Sequence, residues 1–380
     1  MSSNTKNMIY IHVPFCASRC IYCDFYSTTY SSEYREKYVV AACAELKTRR
    51  NYLPNPSIQS IYLGGGTPSL LTLRQIEKLL QTTRELYQVD TDTEVTIEAN
   101  PDDIDALFAK SLSGVGVNRV SLGVQSFSDS TLRMLNRRHT SSEAEKAVNV
   151  LYSSGINNIS IDLIYGLPGQ SLQQFTNDLT KAFSLPIKHL SAYALSIEEG
   201  TPLDRKIANG ELSETDEALY IEAYAKLMEK AEQNGFEHYE ISNFSLPGFA
   251  SRHNSGYWSA IPYLGIGPGA HSFNGTSRRF NLPDLKTYLS SEDNFEFKEE
   301  VLTPSEQFDE LLFTSLRTSN GLNLDSLKQR FSAVWYEQLM KEATPHLIAN
   351  RLELSGSILR LTRSGIMTSN DVISDLMRAE

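Results

Sequence analysis

A chain of 380 residues, 41% hydrophobic and 21% charged, is long enough for one large α/β domain and a smaller one, and its composition excludes disordered and collagen-like chains. An excess of 46 acidic over 35 basic residues leaves a net charge of −11, which argues against nucleic acid and anionic membrane surfaces as partners. Residues 1–7 are polar and lead into a short apolar run at 8–13, so the chain reads as cytoplasmic, with no signal peptide and no integral membrane segment.

From residue 8 onward, short apolar runs alternate with helical patterns, which is the signature of βα units and a parallel sheet. Strands are predicted at 8–13, 60–63, 94–98, 119–123, 160–164 and 189–194. A helix is expected over 33–50. Capping boxes mark three further helix starts: Thr72 with Gln75, Ser142 with Glu145, and Ser171 with Gln174. A long helix over about 214–234 stops at Gly235. Six strands with helical crossovers make a partial (βα)6 barrel, whose reactive face is the C-terminal strand ends.

Beyond the sixth strand, 237–241 reads as an extra strand and 252–273 as loop-rich, dense in Gly and aromatics. Helical patterns at 305–317, 324–331 and 335–341 then precede a hairpin at 352–361 turning on Ser355-Gly356, an arrangement like a small winged helix. The expected division is a barrel over 1–245, a connecting segment over 246–300 and an α+β winged-helix-like C-terminal domain over 301–380.

Chemistry concentrates after the first strand, where Cys16, Cys20 and Cys23 fall in one short turn. Thiolates select zinc, copper(I) or iron–sulfur clusters. A structural zinc site wants four ligands, commonly as two separated pairs, and no second pair follows. Cys43 lies in a helical pattern and reads as a buried small hydrophobe. A 4Fe–4S cubane held by three cysteines leaves one iron open. Three cysteines in one turn of four also make no disulfide framework.

The CxxxCxxC spacing, with Tyr22 before the last cysteine, resembles the signature of the radical S-adenosylmethionine superfamily, in which the open iron chelates the amino and carboxylate groups of S-adenosylmethionine. Gly64-Gly65-Gly66-Thr67-Pro68 resembles that superfamily's GGGTP element. Gly123-Val124-Gln125-Ser126-Phe127 and the run from Asp162 to Gln170 are similar to segments of oxygen-independent coproporphyrinogen III oxidases and their sister group of heme chaperones. The resemblance implies a radical-SAM TIM-type barrel, cluster ligands Cys16, Cys20 and Cys23, and S-adenosylmethionine contacts from Tyr10, Tyr22, Gly64, Gly66, Thr67, Glu98, Gln125, Arg137 and Asp162.

Two features separate the sisters. The oxidases extend the cluster motif to CxxxCxxCxC and carry a longer segment before it, whereas here the last position is Phe25 and the first cysteine is residue 16. His253-Asn254-Ser255-Gly256-Tyr257-Trp258 matches the chaperones' HNxxYW motif, and His253 is the heme contact that the resemblance implies. The expected activity is heme binding and delivery to apo-hemoproteins such as cytochromes. An electron donor such as flavodoxin and a homodimer are the other expected partners. The alternative is an oxidase that converts propionates to vinyls. The Gly-rich run from Tyr263 to His271 reads as a loop on the cofactor face, not as a dinucleotide fingerprint: its third glycine is misplaced and a proline stands where a helix would open.

Overall fold

The computed structural model describes residues 6–291 and 294–378. The expected strands form as β1 (Asn7–Val13), β2 (Ser57–Gly65), β3 (Gln88–Ala99), β4 (Arg119–Gln125), β5 (Asn158–Tyr165) and β6 (His189–Ala194), each parallel to the next. Helices cover their outer face, so both faces are shielded and the strands read as near-continuous apolar runs. The capping boxes at Thr72/Gln75 and Ser171/Gln174 form. The third forms two residues earlier than expected, from Thr140 and Glu143. Both pairs have the required spacing; the extended backbone at Thr140 decides between them.

The period-two alternation of the strands sets what fills the barrel. Tyr10, Tyr62, Glu98, Ser121, Asp162 and Ser191 all face one interior cavity, while Ile9, Ile11, Ile61, Ile97, Val120 and Ile161 pack outward into the main hydrophobic core. The inside of this barrel is polar.

The sheet continues past the barrel on both sides. β7 (Glu237–Glu240) and β8 (Asn243–Ser245) pair antiparallel, and β8 adds to β6. On the other side, β9 (Tyr263–Ile266) adds parallel to β1, followed by β10 (His271–Phe273), β11 (Ser277–Asn281) and β12 (Phe297–Val301) in antiparallel order. The stretch expected to be loop-rich therefore holds a helix, Arg252–Trp258, and two strands. Glycine conceals β9 in the sequence for a physical reason: a Cβ on Gly265 would lie 1.9 Å from the carbonyl oxygen of His271.

A buried carboxylate fastens this extension to the barrel. Glu45, fully buried on the Ser32–Thr48 helix, accepts hydrogen bonds from Arg49 at 3.0 Å, the Gly267 amide at 2.9 Å, Asn281 at 2.7 Å and Tyr288 at 2.8 Å. Arg49 in turn donates to the Gly265 carbonyl at 2.8 Å and to Ser272 at 2.9 Å. A buried charge is tolerable only when its lone pairs are satisfied in this way.

The C-terminal part has its own core, built from Phe308, Leu312, Leu327, Leu339 and Leu359 among others. Helices Pro304–Leu316, Leu324–Arg330 and Ala333–Ile348 pack with a small antiparallel sheet of β13 (Leu322–Asn323), β14 (Leu352–Ser355) and β15 (Ile358–Leu361) in the order β13-β15-β14. It is tied to the sheet by the Arg278–Glu310 ion pair and by a bridge between Glu240 and Thr318.

Glu45→Ala strands Arg49 and three further donors in the interior. It is expected to lower stability by about 3–5 kcal/mol in urea unfolding; a loss below about 1 kcal/mol would show that the network is not what holds the extension.

Candidate cluster and cofactor site

The cysteine turn leaves β1 at its C-terminal end. Cys16 donates its amide to the Thr28 carbonyl at 2.9 Å, and Thr28 donates back to Pro14 at 2.8 Å, which closes the base of the loop. Its tip is held by the Ile21 amide on the Leu135 carbonyl and by Asn136, whose side-chain amide donates to the Arg19 carbonyl at 2.8 Å. Cys16, Cys20 and Cys23 are all partly exposed and line the same cavity of about 640 Å³. Two of the sulfurs carry donors, Thr67 on Cys16 at 3.6 Å and Arg137 on Cys20 at 3.3 Å.

A cubane takes one thiolate per iron, so three thiols spread around one cavity mouth fit it. Cys43 stands apart: it is buried in the Ser32–Thr48 helix and accepts from the Thr82 hydroxyl at 3.3 Å.

Every residue expected at the site lines this cavity except Gly64. Gly64 is packed between Tyr62 and Glu98, and it is Gly65 that faces inward. Gly65 has φ +107°, a conformation side chains rarely adopt, and a Cβ there would meet the His12 ring at 2.5 Å. Its amide donates to Glu98 at 3.0 Å, and the Tyr62 hydroxyl donates to the other oxygen at 2.8 Å.

Two carboxylates and two guanidiniums share the interior. Burial pushes the Glu98 carboxyl up to about 7, against the Tyr62 hydrogen bond and with help from the Asp162 charge. Burial also raises Asp162, which accepts from Ser121 at 3.2 Å. Arg137 donates to Asn100 at 2.6 Å and to the Gly123 carbonyl. Gln125 sits at a register shift in β4 with φ +67°, a strained backbone that turns its amide into the cavity. Carboxylates suited to ribose hydroxyls, arginines suited to a carboxylate and a nucleoside-sized volume occupy one chamber under the thiols.

The floor of that chamber is the Arg252–Trp258 helix. Its first amides, Arg252 and His253, and the Ser251 hydroxyl all donate to Glu94 of β3, which seats the helix across the barrel. His253 is 2% exposed, with Nδ1 paired to Ser60 at 2.9 Å, Nε2 paired to the Tyr257 hydroxyl at 3.0 Å, and its ring stacked on Tyr62. Burial holds it neutral, down to about 3. An axial bond from either nitrogen to heme iron would break one of these hydrogen bonds. His253 thus belongs to the barrel interior, and Trp258 reaches the other way, toward Phe313 of the C-terminal domain.

Sequence reading missed Tyr62, Asn100, Arg119, Ser191 and Tyr193, all of which line the chamber. Their signal is available only as alternation along strands whose register is known. His139 and His238 each pair with a backbone carbonyl, and His346 with Asp375. His189, buried between Ser160 and Tyr239, also reaches the chamber.

Residues 10–182 match the family model of the radical SAM superfamily, and residues 302–368 that of the HemN C-terminal domain. The chain is 34% identical to the heme chaperone HemW of Lactococcus lactis over 98% of its own length and 97% of that protein, and 34% identical to the heme chaperone HemW of Bacillus subtilis over 96% and 97%. Its structure superposes on coproporphyrinogen III oxidase (HemN) of Escherichia coli with a TM-score of 0.85 at 22% identity, covering 98% of this chain and 90% of that one, a likeness of fold. With its thiol-crowned barrel and full-length kinship to these chaperones, the chain belongs to the HemW family of the radical SAM superfamily.

Proposed function

We propose that this chain is a heme chaperone, binding heme and handing it to apo-hemoproteins, cytochromes among them, on a scaffold that holds a 4Fe–4S cluster and S-adenosylmethionine. The observation that carries the reading is the near-complete alignment with HemW proteins of two bacteria, joined by Phe25 where the oxidases' motif continues to a fourth cysteine. The reading places the chain in the cytoplasm, and no helix among the described residues is long and apolar enough to cross a membrane. A flavodoxin-type electron donor and a homodimer complete the reading.

Within it, Cys16, Cys20 and Cys23 hold the cluster, whose open iron supplies an anchor for the amino acid end of S-adenosylmethionine. Thr67 and Arg137 damp the thiolate charge by donating to sulfur. Glu98 and Asp162 take the ribose and sulfonium side, Gln125 and Arg137 the polar ends, and Tyr10, Tyr22 and Gly66 shape the walls. Gly65 replaces Gly64 in this set because it is the glycine that faces the chamber. His253 supports the floor.

Cys20→Ala is expected to abolish the visible absorption of the reconstituted cluster and its iron and sulfide content, while far-ultraviolet circular dichroism stays unchanged; retention of a full cluster would remove Cys20 from the ligand set. A carboxyl near 7 must ionise to face a cation, so wild-type affinity for S-adenosylmethionine should rise about tenfold from pH 6 to pH 8 more than that of Glu98→Gln. Equal pH slopes by calorimetry would take Glu98 out of contact with the cofactor. Anaerobic incubation with coproporphyrinogen III, S-adenosylmethionine and a reductant should yield no protoporphyrinogen; steady turnover would replace the chaperone by the oxidase.

A further inference from the structure

Arg119 lines the chamber, yet no cofactor contact falls to it. It is the first residue of β4 and is 2% exposed. Strand register fixes its depth. Thr96 and Asn158 flank it, whereas Glu98 pairs with Ser121 and Asp162 with Gly123, one and two inward-facing positions nearer the thiols. Each such step is about 7 Å along a strand. Burial keeps His189 and His253 neutral and the Arg119 charge adds to that effect, so the guanidinium lies beside these two imidazoles, low in the barrel.

Among the described residues this guanidinium makes no hydrogen bond and no ion pair, and its Nε is sealed from solvent without a partner. The charged groups around it are engaged elsewhere. Arg137 donates to Cys20, Asn100 and the Gly123 carbonyl. Glu98 accepts from Tyr62 and Gly65, Asp162 from Ser121, and Glu94 from the first amides of the Arg252–Trp258 helix. A buried cation without a partner is costly, and the planar fork of an arginine is matched by a carboxylate, which accepts two parallel N–H bonds. The foot of the barrel therefore carries an open carboxylate receptor.

We propose that Arg119 receives a propionate of the cargo heme, which seats one edge of the porphyrin in the chamber above the Arg252–Trp258 helix. The inference rests on the chaperone reading and adds to it the residue that orients the cargo. Two ligands of that reading bring a carboxylate: heme through its propionates, and S-adenosylmethionine through its amino acid end. Depth favours heme. The amino acid end of S-adenosylmethionine belongs to the open iron at the thiol-lined mouth, and Glu98 and Asp162 lie between that mouth and Arg119. A propionate carries its carboxylate on two methylenes, clear of the macrocycle. Tyr62, Tyr193 and Tyr257 line the same chamber and offer that macrocycle aromatic walls.

The test is an anaerobic titration of the cluster-loaded protein with hemin and, separately, with hemin dimethyl ester, whose propionates are blocked. It is run at pH 8, where the Glu98 carboxyl, pushed up to about 7, is ionised, and is repeated on Arg119→Met and Arg119→Lys. Wild type should bind hemin at least about tenfold more tightly than the ester, and Arg119→Met should bind the two within about twofold of each other. Arg119→Lys keeps the charge and loses the fork, so its preference should fall between. Affinity for S-adenosylmethionine by calorimetry and iron and sulfide content should match wild type in both variants. Because the charge removed is unpaired, the thermal unfolding midpoint of ligand-free Arg119→Met should not fall. Saturable hemin binding with no preference over the ester in wild type, or a preference that survives in both variants, overturns the proposal and leaves the chaperone reading standing. Loss of affinity for S-adenosylmethionine with the hemin preference intact assigns the guanidinium to the cofactor's carboxylate and also overturns it. Absence of saturable hemin binding by the wild-type protein overturns the chaperone reading itself, and the propionate site with it.

Discussion

Glu45 is fully buried yet surrounded by donors, and the seating of the outer strands on the barrel depends on it. Its carboxylate ties the Ser32–Thr48 helix to the Gly267 amide, Asn281 and Tyr288, so β9, β10 and β11 cannot slide along β1 without exposing an uncompensated charge in the interior. Register matters here because a shift of one residue would exchange the two faces of every strand. With β9 pinned at Met8↔Tyr263, the segment leading into it must cross the barrel, and the Arg252–Trp258 helix becomes a floor.

Above that floor, polarity is arranged by depth. Neutral imidazoles of His189 and His253, each bonded on both nitrogens, lie low in the barrel near Arg119; Glu98, Asp162 and Arg137 line the same chamber, and the thiols crown it. Four buried charged side chains of balanced sign cost less than any one of them alone, and what imbalance remains is expressed as a raised carboxyl at Glu98. A cation beside that carboxyl favours its ionised form.

The C-terminal domain packs beside the outer strands and the Arg252–Trp258 helix. Its core is separate from that of the barrel, and the contact between them includes Trp258 with Phe313, the Arg278–Glu310 pair and the Glu240–Thr318 bridge, with the Ile241 amide donating to the Arg317 carbonyl. Interfaces of this kind within a chain permit relative motion of the parts.

What the chain declares by itself is local. Three cysteines in one turn, a GGGTP run, capping boxes and six apolar strands are short-range patterns, legible because spacing of a few residues is enough to define them. Even there, two overlapping S/T-x-x-E pairs at Thr140 and Ser142 were separable only by the backbone that precedes them. The remaining features needed partners 193 or more residues apart: β9 beside β1, Glu45 with Asn281, Ser60 with His253. His253 sits in an aromatic and polar motif, and the fold pairs its two ring nitrogens with Ser60 and Tyr257, contacts the motif alone does not reveal. Sequence spacing determined the chemistry available to this protein; long-range packing of strands and of the Arg252–Trp258 helix decided how that chemistry is gathered around one chamber, because contacts between distant residues leave no local pattern.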